Sequence, residues 1–321
     1  MPKSLKIKKN LLVVLLGGTI GSSVDKDGNV ALEEQGFDAE FFEALDKRFN
    51  YKVIEPVRYS SENASVSTYK EAIGKIMEEA GKGSSKYKGI LILHGTDSMA
   101  YFAQLVIRCL SHLKMPIIVT GAKRPKNDPR TDSVKNIIMA IGLLAAAVKD
   151  GTGPRTVGVV YEDSLTKKSL YVPAQDAETA DINGDMRMFC DRSDPASATF
   201  NKKAKSHFAT EEYRKRAEAF LAREERKILL IPAVPQPYVP EDLTGFAAVL
   251  IECYHSGTAD NNILVPLAAK CREAGIPCYM GPVPVNGNIY ESRRALEDAG
   301  CIPIKGMPLE GCWAEVVIDH A

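Results

Sequence analysis

Two threonines in this chain stand where a hydroxyl group could serve as a nucleophile. Thr19 ends Gly17-Gly18-Thr19, directly after the apolar run Leu11 to Leu16, and Thr96 lies with Asp97 in "HGTDSM" (His94 to Met99), directly after "GILIL". The glycines let backbone N–H groups approach a ligand closely, and Thr19 places a hydroxyl at that point. Thr96 and Asp97 add a second hydroxyl and a carboxylate at the start of a helix, where the helix dipole favours an anion or an oxyanion. Two threonines at two strand ends point to nucleophilic acyl transfer. Thr and Asp are also the types that cap helices, so Thr96 and Asp97 equally admit a purely structural reading. "GGTIGSS" lacks the GxGxxG spacing and no helical run follows it at once, which weighs against a dinucleotide site.

The elements that must position these groups are legible as apolar runs alternating with segments of helical period, the pattern of a parallel sheet wrapped by helices. Residues 11 to 16, 89 to 93, 116 to 120 and 156 to 161 read as buried strands. Between them, "STYKEAIGKIMEEAGK" reads as a surface helix with a Thr68/Glu71 capping box and an apolar stripe at Ala72, Ile73, Ile76 and Met77. "DSMAYFAQLVIRCLSH" and "TDSVKNIIMAIGLLAAAVKD" read as the next two helices. Residues 185 to 225 are polar and charged, with one charged helix and no strand signal; a shorter α/β set follows, with strands at 227 to 231, 247 to 252, 276 to 280 and 301 to 304. The expected fold class is therefore α/β: a parallel-sheet, Rossmann- or flavodoxin-like N-terminal domain (1–200), a linker (201–225) and a smaller α/β C-terminal domain (226–321).

Composition narrows the function classes. The 41 acidic and 41 basic residues cancel, which argues against a broad nucleic-acid footprint, so no nucleic-acid partner is expected. No apolar run approaches the roughly 18 residues of a membrane span, and "MPKSLKIKKN" lacks a signal-peptide core, so no membrane association and a cytoplasmic location are expected. The seven cysteines form no CxxC pair and read as core thiols, not as a disulfide framework or a zinc site.

Taken together, the motifs resemble the bacterial-type L-asparaginase and glutaminase family. "GGTIG" and "HGTDSM" look like its two threonine signatures, and "TGAKRP" followed by "TDSVKN" is similar to its TGAxRP element and the helix start after it. "YHSGTAD" resembles its YGxGNAP element, and "VNGNIYESRRALEDAG" its closing helix region. The resemblance implies that Thr19 is the nucleophile, or one of two candidates, attacking a side-chain amide to form an acyl-enzyme that water hydrolyses. It implies that Thr96 acts with Asp97 and a lysine from the loop "EDSLTKKSLY", Lys167 or Lys168, with the Thr-Lys pairing favouring Lys167. In "SSEN", Ser61 would donate to the substrate α-carboxylate, while Glu62 and Asp97 would accept from the α-ammonium beside Gly18. His255 and Asp260 would line the pocket of a neighbouring subunit, in a homodimer or a dimer of dimers with shared sites.

Two departures from the family pattern stand out. Residues 20 to 36 contain neither the tyrosine nor the second threonine usual on the loop after GGTIG, and His255, Thr258 and Asp260 replace the glycine, asparagine and proline of YGxGNAP. The activity implied is hydrolysis of L-asparagine to L-aspartate and ammonia, with some glutaminase activity and no metal or organic cofactor. The alternatives are the amide-hydrolysing subunit of a tRNA-dependent amidotransferase, or a catalytically silent amino-acid-binding homologue.

Overall fold

The computed structural model describes residues 9–32, 37–82, 86–149, 151, 153–154, 156–182, 184–189 and 207–321. Residues 201–206 of the expected linker and 33–36 of the segment after GGTIG lie outside the described residues. The chain divides into two compact units, the first comprising Met1–Ala174, Thr179–Arg187 and Lys202–Arg214, the second Gln175–Glu178, Met188–Asn201 and Lys215–Ala321.

In the first unit the strands are β1 (Lys9–Leu15), β2 (Ser22–Val24), β3 (Val30–Leu32), β4 (Phe49–Ile54), β5 (Ile90–Leu93), β6 (Ile117–Thr120), β7 (Val157–Glu162) and β8 (Ser169–Pro173). Six of them form one sheet in the order β4-β1-β5-β6-β7-β8, parallel except for β8. Leu11 to Leu15, Ile90 to Leu93 and Ile117 to Thr120 are buried at every position, as strands covered on both faces must be. The helices are α1 (Ala39–Leu45), α2 (Val66–Gly81), α3 (Met99–Leu110) and α4 (Ser133–Lys149). One face of the sheet packs Leu11, Val13, Leu91 and Ile118 against Phe42 of α1 and Ile137, Ile141 and Leu144 of α4.

The strand order is of the flavodoxin type. From β1 the chain passes to β4 on one side and returns to β5 on the other, so the carboxyl ends of β1 and β5 flank the point where the winding reverses. Loops leaving two such strands run in opposite directions and open a crevice between them. β4 escapes the sequence reading because it is an edge strand whose alternate residues, Asn50 and Lys52, face solvent.

After two two-residue strands, β9 (Ala177–Glu178) and β10 (Arg187–Met188), comes α5 (Glu211–Ala222), the charged helix expected between the two α/β sets. The second unit carries β11 (Lys227–Ile231), β12 (Phe246–Glu252), β13 (Cys278–Val283) and β14 (Ile302–Lys305), all parallel and in chain order. α6 (Asn261–Glu273) and α7 (Glu291–Ala299) cover one face, through Leu264, Leu267 and Leu296, and α8 (Leu309–His320) the other, through Cys312 and Val316. β13 starts two residues later than the apolar pattern suggests. The Ile276 N–H donates back to the Cys271 carbonyl, which makes Ile276 the closing residue of α6. The six described cysteines are free and buried, and no described helix is long and apolar enough to cross a membrane.

The capping box of α2 lies three residues earlier than the sequence suggests. Ser65 is the N-cap: its hydroxyl accepts from the Thr68 N–H, and the Thr68 hydroxyl accepts from the Ser65 N–H. Glu71 is exposed. Ser65→Ala is therefore expected to lower stability by about 1 kcal/mol. Glu71→Ala should stay within about 0.5 kcal/mol of the parent in the same urea titration, as an exposed substitution away from any cap does.

Candidate active site

The Thr19 and Thr96 loops touch backbone to backbone. Gly18 has φ 78° and ψ −178°, a conformation essentially restricted to glycine. A Cβ added there would lie 2.1 Å from the Gly95 Cα, so the close approach itself also demands glycine. The Gly18 carbonyl accepts from the Gly21 N–H (2.9 Å) and the Ser22 hydroxyl (2.9 Å), fixing the 3-10 turn Thr19–Gly21 that carries the first threonine. The second loop continues the sheet, with Leu16 N–H donating to Leu93 C=O and His94 N–H to Thr120 C=O.

Ser61 completes the junction and is 3% exposed. Its hydroxyl lies 3.2 Å from Asp97 Oδ2, as donor, and 3.3 Å from the Asp97 nitrogen, as acceptor, while the Ser98 hydroxyl donates to the Ser61 carbonyl at 2.6 Å. A Cβ on Gly95 would come within 2.4 Å of Ser61 Oγ, so the second glycine makes room for the serine as the first makes room for the loop. Asp97 itself is exposed, leaving its carboxylate accessible to a ligand.

Beneath the loops, His94 is fully buried and stacks on Phe102 with ring centroids 4.6 Å apart. Its Nδ1 lies 2.6 Å from the Gly95 carbonyl, which can only accept, so Nδ1 carries the proton and Nε2 accepts from the Tyr59 hydroxyl at 2.8 Å. Burial holds this imidazole down at about 4.

Lys123, in "TGAKRP", enters the same region from β6. Its backbone N–H donates to both Asp132 carboxylate oxygens (3.0 and 3.2 Å), and its ammonium donates to the Asp185 carboxylate and the Ser164 hydroxyl. Burial tends to raise Asp185, but Lys123 and Ser164 hold it below the usual carboxylate range. The same ammonium lies 5.3 Å from the centre of the Tyr161 ring. The Tyr161 hydroxyl is buried and completes no hydrogen bond, and the Tyr161 backbone follows Val160, the register partner of Thr120.

The sequence-based site thus divides. Gly18, Thr19, Ser61, Thr96 and Asp97 are brought together in the first unit. Lys167 and Lys168, expected to approach Thr96, are instead exposed in the turn between β7 and β8. That turn is closed by Asp163 N–H to Lys168 C=O and Lys167 N–H to Asp163 C=O, both 2.9 Å, with Lys167 in the left-handed region (φ 56°). Lys123 is a half-buried lysine at these strand ends. It stands three residues past the end of β6, as Thr96 stands three past the end of β5, and that offset is the signal that could have found it. Glu62 is exposed on the turn Ser61–Asn63. In the second unit, His255 is exposed after β12, and the Asp260 carboxylate is engaged as the N-cap of α6, accepting from Asn262 N–H at 3.0 Å.

Gly18→Ala combines a forbidden backbone region with a clash against main chain, and should cost at least about 2 kcal/mol by denaturant unfolding. His94 makes stability pH-dependent. Its folded value lies below the roughly 6.5 of a free imidazole, so the unfolded chain takes up a proton that the folded chain refuses. Its contribution is intact above about pH 6.5 and is lost as pH falls towards about 4, by roughly 3 kcal/mol over that window. Unfolding free energies measured across this range should therefore fall less steeply with acid, by about one proton, in His94→Gln than in the parent.

Comparison with known proteins bears on the family and the fold. The family model for the N-terminal region of asparaginases matches residues 10–178. A glutamyl-tRNA(Gln) amidotransferase subunit from Pyrococcus horikoshii is 24% identical, over 97% of this chain and 72% of that protein. Its counterpart from Thermococcus kodakarensis is 27% identical, over 95% and 70%. Among solved structures, the thermostable L-asparaginase from Thermococcus kodakarensis matches with a TM-score of 0.67 at 19% identity, covering 96% of this chain and 92% of its own. L-asparaginase I from Vibrio cholerae matches at 0.64 and 18%, covering 97% and 92%. These two structures share the fold, a mainly parallel α/β sheet, and the chain belongs to the asparaginase family.

Proposed function

We propose that this chain hydrolyses the side-chain carboxamide of a small amino acid and supplies the ammonia as the amide-hydrolysing subunit of a tRNA-dependent amidotransferase. The observation that carries the hydrolytic part is the Gly18–Gly95 contact, which sets the Thr19 and Thr96 loops side by side with Ser61 and Asp97. In this reading a threonine hydroxyl, Thr19 first, adds to the carboxamide carbon and ammonia leaves. Water then cleaves the ester, so that amide and water become carboxylate and ammonia. Asp97, with Glu62 beside it, receives the substrate ammonium, and Ser61 and the Gly18 backbone line the carboxylate end. His255 is the residue of the second unit available to a neighbouring subunit's pocket, since Asp260 is engaged in capping α6.

The amidotransferase role is supported by relatives of that name aligned over nearly the whole chain. The neutral net charge does not oppose it. Charge balance bears on whether this chain grips nucleic acid by its own field, and an ammonia-supplying subunit can leave the tRNA to its partner. A free-standing asparaginase is the second reading, favoured by the fold shared with the two asparaginase structures.

Ammonia release from asparagine and from glutamine tests both parts. Thr19→Val and Thr96→Val keep shape and remove a hydroxyl, and each should lower turnover at least about 100-fold, as loss of a catalytic group does. Wild-type rates in both variants would defeat the hydrolase reading. Rapid asparagine hydrolysis by the chain alone, unaltered by an amidotransferase partner and glutamyl-tRNA, would decide for the free-standing enzyme.

A further inference from the structure

Tyr161 is the polar side chain in the candidate site whose burial has no structural explanation. It is 3% exposed, at the carboxyl end of β7, yet its hydroxyl completes no hydrogen bond. Buried hydroxyl groups are ordinarily paired, because desolvating one without a partner is a cost that folding avoids. Phenylalanine would fill the same space without that cost. Tyr161 follows Val160, the register partner of Thr120, and so stands beside Gly121, which borders Thr96, while the Lys123 ammonium lies 5.3 Å from its ring centre and holds the ring still. That ammonium is itself anchored by Asp185 and Ser164, and Ser164 N–H also donates to Asp185 at 2.8 Å. The strand order brings these groups together: Gly121, between Thr96 and Lys123, would meet Thr96 Cγ2 at 3.1 Å if it carried a Cβ.

We propose that Tyr161 is a catalytic residue: Thr96 passes its hydroxyl proton to the departing amide nitrogen and recovers one from Thr19 as Thr19 adds, and the Tyr161 hydroxyl donates to Thr96 Oγ while negative charge gathers there, with Lys123 the positioning cation that holds the ring and biases the donor. The inference rests on the amide-hydrolase reading above. It gives the site, from a rigid strand, a phenol that the segment after GGTIG lacks, since residues 20 to 36 hold no tyrosine. Burial keeps this phenol well above its usual titration range, so that it remains a donor at neutral pH. A cation against the ring face withdraws electron density from the phenol and strengthens the O–H donor. It also assigns to Lys123 the charge that the exposed Lys167 and Lys168 do not bring.

Tyr161→Phe separates this role from a structural one. Removing an unpaired buried hydroxyl should leave the melting temperature unchanged or raised. If the hydroxyl serves Thr96, kcat should nevertheless fall about 10- to 100-fold, with KM within about twofold. Lys123→Met should lower kcat more than the double variant Lys167→Met/Lys168→Met. A second readout, independent of turnover, is alkylation by a diazoketone analogue of glutamine, followed by intact mass. Wild type should be labelled at a site-loop threonine, and Tyr161→Phe at least about tenfold more slowly. Labelling of wild type and Tyr161→Phe at equal rates, a kcat within about threefold of wild type, or a loss confined to KM would overturn the inference and leave the hydrolase reading standing. No labelling and no ammonia release from wild type, alone or with an amidotransferase partner, would instead remove the hydrolase reading and the inference with it.

Discussion

The contact between Gly18 and Gly95 is the constraint on which the arrangement of the site depends. β1 and β5 are neighbours in the sheet although β2, β3 and β4 lie between them in the chain, and their loops leave the same edge at the point of winding reversal. Two loops with side chains at that crossing would be forced apart. With glycine on both sides the backbones meet, and the loops that carry Thr19 and Thr96 lie side by side. Ser61 then seats against Gly95 and joins Asp97, so the third loop is in place because of the second glycine.

Rigidity below the loops comes from a different kind of interaction. His94, Tyr59, Tyr69 and Phe102 form a packed aromatic layer beneath the threonine loop, in which Tyr59 donates to a neutral His94. This gives the loop an apolar floor with no buried charge. On the other side of the first loop, the β2–β3 hairpin is tied down by Asn127, whose side chain accepts from Val24 N–H at 2.9 Å and donates to Val24 C=O at 3.0 Å. The segment carrying Thr19 is therefore bonded both to the sheet and to the loop after "TGAKRP".

Charged groups stand at the strand ends that carry and adjoin the Thr96 loop. Asp97, Asp132, Asp185 and Lys123 cluster at the ends of three adjacent strands, in a chain whose overall charge is zero. A local arrangement of this kind suits recognition of a zwitterionic amino acid, whose own charges are opposite and close together. It has no need of the long-range field that nucleic-acid binding uses. Chemistry on a small amide and membership of a larger tRNA-dependent assembly are therefore compatible in one chain.

The strands buried on both faces, Ile90–Leu93 and Ile117–Thr120 among them, were readable from apolar runs alone, because a strand with no solvent face has no polar positions to interrupt it. β4 and β8 were not readable, since an edge strand with Asn50 and Lys52 outward, and an antiparallel strand with Ser169 and Leu170 only partly covered, lack that signature. Gly18, Thr19, Ser61, Thr96 and Asp97 could be named because each belongs to a short local motif whose glycines and small polar residues declare a tight turn. Lys123 and Tyr161 could not. Their meeting depends on β6 and β7 being neighbours in register, and Lys167, which the resemblance favoured, lies exposed in a hairpin closed on Asp163. Sequence determined the turns and the buried strands, which are matters of local backbone chemistry and hydrophobic pattern. That Lys123 lies against the Tyr161 ring was decided only by the tertiary structure, because that contact joins residues far apart in the chain through the order of the sheet.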